Sequence, residues 1–268
     1  MEKITKFKEA SKMKVSIIAP IGLSPPVATE ALQYVQEALF QKVSDLTIIA
    51  TKEEQVKAGV ELIKQAVKDR YPHVHIHEVY LPFTDIDTQE KNDEFMKIAA
   101  KILKEQKEKH KVDIIYICVA GGRKDICIEM ALLAQFFNVN SIFHIVMPDV
   151  KAFNIALERV RHEIKELAKT KDKETYYKKN KEKFDPVMYP SLKNYSVIRI
   201  PILPFPRGIL TEICRLLGKP GGKRLEGIEL DEDYLRRMKE HGLIRKSGHY
   251  VYPTEEGFEL AKLLKELI

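Results

Sequence analysis

The chain has 268 residues, 44% apolar and 31% charged, with 45 Lys and Arg against 39 Asp and Glu for a net charge of +6. That balance excludes a disordered or fibrous protein, and the length suits one large domain plus a small one. The longest apolar runs, such as DIIYICVA at 113–120, fall far short of the roughly 20 residues that cross a bilayer, and the charged start MEKITKFKEASKMK lacks the apolar stretch of a secretory leader, so a cytoplasmic protein with no membrane span is expected.

From residue 14 to 203, short β-branched apolar runs alternate with longer amphipathic stretches, the pattern of βαβ units building a parallel sheet. The candidate strands are 14–20 (KVSIIAP), 46–51 (LTIIAT), 74–81 (VHIHEVYL), 113–119 (DIIYICV), 141–147 (SIFHIVM) and 196–203 (SVIRIPIL), with helices near 27–42, 53–69, 89–109, 125–138 and 151–171. The expected fold is α/β, a doubly wound Rossmann-like parallel sheet. Its fourth strand is apolar almost throughout and should be central, covered on both faces. The stretch 165–183 (KELAKTKDKETYYKKNKEK) is dense in lysine and predicts a solvated helix end and loop. Pro186, Pro190, Pro201, Pro204 and Pro206 then punctuate the chain, which places a boundary near residue 206 between a domain at 1–206 and a second at 207–268. The second holds a helix at 207–217, a loop GKPGGKR, a helix at 231–241, a hairpin LIRKSGHYVYP turning at Ser247-Gly248, and a last helix capped by Thr254. This order is that of a winged helix-turn-helix, slightly abbreviated.

Ligands of open α/β sheets bind beyond the carboxyl ends of the strands, so the chemistry is sought in PIGLSPP, PFTDIDT, AGGRKD and MPDVKAFN. Gly121-Gly122-Arg123-Lys124 follows the central strand and opens a helix. Its glycines let backbone N–H groups approach an anion, and Arg123 and Lys124 add charge-assisted donors suited to phosphate. Ser24, in Gly22-Leu23-Ser24-Pro25-Pro26, is placed to N-cap the first helix while facing the same crevice. With Asp85 from the second of these segments, Gly22, Leu23, Gly121 and Gly122 complete the candidate ligand contacts.

Other chemistries fail on the residues present. Ser24 has no G-x-S-x-G elbow and no evident triad; the first loop lacks G-x-G-x-x-G, and no G-x-x-x-x-G-K-[ST] occurs. His73, His75 and His77 alternate on one face of a strand with no Cys nearby, and Cys118, Cys127 and Cys214 form no CxxC pair and read as buried thiols. Neither a metal site nor a cofactor is expected.

The run from Thr84 to Asn154, with FTDIDTQEKNDEF, DIIYICVAGGRK and SIFHIVMPDVKAFN, joined by the GLSP loop, resembles the CRISPR-associated Rossmann-fold (CARF) proteins, and within them the ring-nuclease branch carrying AGGRK after the central strand. The resemblance covers most of 14–205. It implies a homodimer that binds cyclic tetra-adenylate and cleaves it without metal to linear products ending in a 2′,3′-cyclic phosphate, which switches off type III CRISPR signalling. Ser24, Arg123 and Lys124 match its functional positions. The resemblance also implies a cation near the end of the domain, with Lys193 and Arg207 both eligible. Two alternatives carry less. A ligand-controlled regulator whose C-terminal module binds DNA is disfavoured because residues 207–268 hold 12 Lys and Arg against 11 Asp and Glu and the candidate recognition helix opens Asp231-Glu232-Asp233. An effector nuclease would need paired carboxylates or an R-x₄-H-like run there, and neither occurs.

Overall fold

The computed structural model describes residues 13–203 and 205–265. Most of the charged N-terminal stretch and Pro204 lie outside the described residues.

Six strands form one sheet in the order β3-β2-β1-β4-β5-β6: β1 (Val15–Pro20), β2 (Val43–Ala50), β3 (His75–Tyr80), β4 (Ile114–Cys118), β5 (Ser141–Val146) and β6 (Ser196–Ile200). Alternation builds two cores. Ile17 and Ala19 of β1 and Tyr116 and Cys118 of β4 face one layer, while Ile18, Ile115 and Ile117 face the other. The first layer is closed by α1 (Pro26–Gln33), α2 (Glu54–Arg70), α5 (Val150–Arg159), α6 (Arg161–Lys169), α7 (Lys173–Lys179) and α8 (Lys181–Met188), and the second by α3 (Gln89–Glu108) and α4 (Lys124–Phe136). The α/β sandwich expected from the sequence is the fold observed.

Strands β1 to β5 are parallel, with β4 between β1 and β5. The chain winds outward from β1 through β2 to β3, then returns to lay β4 on the other side of β1. The loops after β1 and β4 therefore leave neighbouring strands for helices on opposite faces, and a crevice opens between them.

Two expectations are corrected. β6 is antiparallel, with Ser196 opposite Val146 and Ile200 opposite Ile142; the four helices between β5 and β6 deliver the chain at the carboxyl end of the sheet, so it can only run back. The lysine-dense stretch is not a loop. It runs from the last turns of α6 through α7 into α8, whose apolar side chains are seven and four positions apart: Tyr177, Phe184 and Met188 are buried against the first layer, with Tyr177 and Phe184 rings stacked at 5.6 Å. The lysines face outward into ion pairs, among them Lys68 to Glu174 at 2.6 Å and Lys173 to Glu61 at 2.8 Å. α1 also ends earlier than predicted, passing into a π turn at Tyr34–Ala38.

The C-terminal residues form α9 (Arg207–Leu217), β7 (Lys223–Arg224), α10 (Glu232–Glu240), β8 (Ile244–Ser247), β9 (Tyr250–Pro253) and α11 (Glu255–Lys265), with a three-stranded sheet β7-β9-β8. They carry a separate core of Leu216, Leu217, Leu230, Leu235, Met238, Ile244, Val251 and Ala261. Gly248 takes φ +57° at the hairpin turn, where a side chain would be strained, and Thr254 accepts the Gly257 N–H at 3.1 Å as the cap of α11. Among the described residues no helix is long and apolar enough to cross a membrane.

Candidate functional site

Glycine sets the geometry of the crevice. A Cβ on Gly121 would lie 2.6 Å from the Pro20 carbonyl oxygen and 3.3 Å from the Ile21 Cα, so the loop after β4 seats on the end of β1 only with no side chain there. Gly122 takes φ +86°, and the Gly22 Cα faces it closely enough that a Cβ would sit 3.5 Å from its Cα and N. The loops after β1 and β4 thus touch backbone to backbone, and between them opens a cleft of about 830 Å³. Gly22, Leu23, Ser24, Asp85, Gly121, Gly122 and Arg123 all line it. Four separate sequence segments predicted to carry chemistry meet here, since Asn154 of the last one is in the same wall.

The loop after β4 is tied from beneath. His144 Nδ1 lies 3.2 Å from the Val119 carbonyl, and Cys127 Sγ donates to the carbonyls of Val119 and Gly121 at 3.3 and 3.4 Å. Burial pushes the Cys118 thiol up to about 12, and it raises Cys127 as well, so these cysteines are packed thiols rather than nucleophiles. His77 Nε2 sits 2.8 Å from Asp45 and His73 Nε2 3.0 Å from Gln36, which gives two of the three alternating histidines separate partners.

Arg123 Nη1 donates to both carboxylate oxygens of Asp85 at 2.9 and 2.8 Å, so two predicted ligand contacts are an exposed ion pair with each other. The side-chain hydrogen bond and charge of Asp85 hold the Arg123 guanidinium above its ordinary range. Lys124, the first residue of α4, is exposed and pairs with no carboxylate among the described residues; it stands next to the cleft rather than in its lining. Ser24 does not cap α1. Pro25 is already in the helical region at φ −61°, ψ −29° and occupies the cap position, leaving Ser24 one residue too early, half-buried, with a hydroxyl that has no hydrogen bond among the described residues. That correction frees the hydroxyl for the cleft.

The two late cations part company. Lys193 lies in the single turn Leu192–Asn194 before β6, which starts opposite Val146, so it stands at the carboxyl edge of the sheet, outside the cleft lining. Arg207 follows β6 at the opposite edge: Ile200 pairs with the start of β5, and the Phe205 N–H bonds the Gln135 carbonyl near the end of α4. The fold does not bring Arg207 to the cleft.

One cation of the lining escaped the sequence. Arg161, at the start of α6 and mostly buried, donates from Nη1 to the Leu23 carbonyl at 2.9 Å, while its Nε and Nη2 bond Glu158 at 3.1 and 2.8 Å. It is 138 residues away from Leu23 in the chain, and no motif marks it. Glu53, also in the wall, accepts the N–H groups of Gln55 and Val56 as the cap of α2. Each carboxylate in the lining therefore already has a partner, and the cleft offers two guanidiniums, loop backbone, the Asn154 amide and the hydroxyls of Ser24, Thr51 and Thr84. That set suits phosphate groups.

The chain is 25% identical over 163 residues to the CRISPR system ring nuclease SSO2081 of Saccharolobus solfataricus, an alignment covering 59% of this chain and 85% of that protein. Among solved structures it is similar to Enterococcus italicus Csm6 bound to cyclic hexa-2′-fluoro-hexa-dAMP, with 17% identity and a TM-score of 0.46; the match covers 77% of this chain but spans only 47% of that one. The model of the CRISPR-associated protein NE0113 family matches residues 24–226, three quarters of the sequence including both loops of the cleft from Ser24 onward, and the chain belongs to that family.

Proposed function

We propose that the protein is a ring nuclease that binds cyclic tetra-adenylate across two copies of the chain and cleaves it without a metal. The observation that carries this reading is the contact of the Gly22 and Gly121-Gly122 loops, which brings Ser24, Arg123 and Arg161 to one phosphate-suited cleft.

A ribose 2′-hydroxyl is already covalently adjacent to its target phosphorus, so the protein has to hold it in line and stabilise charge on the phosphate oxygens. The 2′-oxygen bonds phosphorus as the bond to the 5′-oxygen breaks. Solvent takes the proton of the 2′-hydroxyl and returns one to the leaving oxygen, so the products are a 2′,3′-cyclic phosphate and a 5′-hydroxyl with no water consumed. Ser24 contacts the reacting ribose or phosphate, Arg123 and Lys124 offset the charge that develops, and the Gly121 and Gly122 N–H groups face the phosphate. Losing one such donor costs on the order of 10² to 10³ in rate.

A ring with two-fold symmetry suits a two-fold dimer. Ile128 and Leu132 on successive turns of α4, and Val150 and Ile155 on α5, are exposed apolar side chains on helices that start beside the cleft, which supports self-association there. In this reading the chain divides near residue 206, and the C-terminal unit is a winged-helix-like module with a structural role. Its α10 presents Arg236 and Arg237, but Asp233 and Glu240 already pair with them, which leaves little free positive charge for a DNA backbone.

The test is incubation with cyclic tetra-adenylate in EDTA, followed by chromatography, with Ser24→Ala and Lys124→Ala in parallel. Linear products that disappear in both variants establish the reading. A ring that stays intact while binding tightly refutes cleavage and makes the protein a sensor.

A further inference from the structure

A second cleft, of about 970 Å³, adjoins the first. Glu53 and Thr84 stand in the walls of both. It lies between the first turns of α2 and the outer face of α6, with Tyr80 at the end of β3 in its wall. Five lysines line it: Lys52, Lys57, Lys165, Lys169 and Lys173.

Three carboxylates oppose them, and two are already engaged. Glu53 caps α2, and Glu61 is held by Lys64 at 3.0 Å and Lys173 at 2.8 Å. Lys52, Lys57 and Lys165 are exposed and have no ion-pair partner among the described residues, so the cleft keeps a positive surplus. The cations of α6 are ordered, two of them already paired, Arg161 with Glu158 and Lys169 with Glu166. Arg161, Lys165 and Lys169 fall at successive i, i+4, i+8 positions of α6 and so share one face of it. The stripe begins at the guanidinium that holds the Leu23 carbonyl in the first cleft and ends among the lysines of the second.

We infer that this second cleft is a binding site for a nucleoside phosphate. The lysines supply the phosphate contacts, and the cleft is too roomy for a bare phosphate ion. Tyr80, beside the small side chains of Ala58 and Ala168, supplies a flat apolar wall on which a base can stack. Taken with the proposed ring cleavage, on which this assignment of its source rests, the occupant is the linear oligoadenylate released next door, which reaches the cleft along the stripe of α6. A free nucleotide such as ATP carries the same chemistry.

The experiment is isothermal titration of the full chain with linear tetra-adenylate ending in a 2′,3′-cyclic phosphate, with ATP, with adenosine and with cyclic tetra-adenylate, in the wild type and in the double variant Lys57→Glu/Lys165→Glu. Both positions are exposed and lie outside the lining of the first cleft. The phosphate-bearing linear ligands should bind the wild type, adenosine should not, and the double reversal should weaken binding by about tenfold or more, since each change turns an attraction into a repulsion. Tighter binding of the linear oligoadenylate than of ATP assigns the cleft to the product; equal binding assigns it to free nucleotides. Ring affinity should stay within about threefold. Nucleoside phosphates that fail to bind, or that bind the double variant as well as the wild type, overturn the inference. Failure of the ring alone to bind, with the linear ligands still bound through these lysines, overturns the proposed function and leaves this site standing.

Discussion

Replacing Gly121 by alanine tests whether the contact between the two loops builds the site. The added Cβ would meet the Pro20 carbonyl oxygen at 2.6 Å, backbone against backbone, with the Ile21 Cα at 3.3 Å and Val27 Cγ1 at 3.4 Å on its other sides. No flexible side chain is available to yield. The loop after β4 must lift from β1 by about 0.8 Å, from 2.6 to the 3.4 Å of ordinary contact. Overpacking of this kind costs about 1–3 kcal/mol, which lowers the melting temperature by roughly 3–10 °C for a protein of this size. A shift approaching 1 Å in groups that must hold a nucleophile in line costs on the order of 10² in rate. The assays are a thermal melt and single-turnover cleavage of cyclic tetra-adenylate. Two other glycines are internal controls: alanine at Gly22 meets only ordinary contacts at 3.5 Å, and at Gly208 nothing within 4 Å, so both should keep near wild-type stability. A Gly121→Ala protein that melts and cleaves like the wild type would show that the close approach of the loops is not what assembles the cleft.

Arg161→Ala removes the tie to the Leu23 carbonyl, and because this arginine positions the Ser24 loop, kcat should fall about tenfold or more while KM for the ring changes little; Arg161→Lys should not rescue, since one ammonium cannot serve Leu23 and Glu158 together. Glu30 on α1 is 2% exposed, its Oε1 has no partner among the described residues, and burial pushes its carboxyl from 4.5 up to about 8. The folded state therefore binds the proton more tightly than the unfolded chain, so the stability this group gives is full below 4.5 and is lost as pH rises to about 8, at no more than about 1.4 kcal/mol per pH unit. Glu30→Gln should flatten the melting temperature between pH 5 and 8 and raise it at the upper end; parallel wild-type and variant profiles would refute the assignment. Ile128 is 69% exposed, and Ile128→Glu should shift the mass measured by light scattering from dimer to monomer with an unchanged melting curve of the folded chain; an unaltered dimer would place the interface elsewhere.

The strands were legible because an apolar, β-branched run bounded by polar segments has few other solutions in a chain of this length. β4 could be placed centrally for the same reason: Ile115, Ile117 and Cys118 leave no face for water. The direction of β6 was not legible, since a period of two reads the same from either end, and it was that direction which sent Arg207 to the far edge of the sheet and left Lys193 on the near one. Composition misled at 165–183, where outward lysines outnumber the two large side chains that pack there, Leu167 and Tyr177. The cap at Ser24 failed on one residue of register, because Pro25 begins the turn itself. Arg161 left no local trace, as its role depends on a contact with Leu23 that only the packing of α6 beside the first loop creates.

The pairing of Arg123 with Asp85 changes what the AGGRK segment does before ligand arrives. Free, Arg123 would be an extended side chain with many rotamers, all of which a ligand must still reduce to one. Held by both oxygens of Asp85, its guanidinium is already fixed in the cleft wall. Because the pair is exposed it is weak and screened by salt, so a phosphate can take the guanidinium over without a large opposing term. Lys124, one residue on, has no such partner among the described residues and remains a hydrated point charge. On the proposed function, the two adjacent cations would divide the work by their surroundings: Arg123 oriented in advance and exchanged, Lys124 free to follow charge as it moves onto the phosphate oxygens. In that reading Asp85, counted from the sequence as a ligand contact, is first the placeholder that keeps the arginine in position.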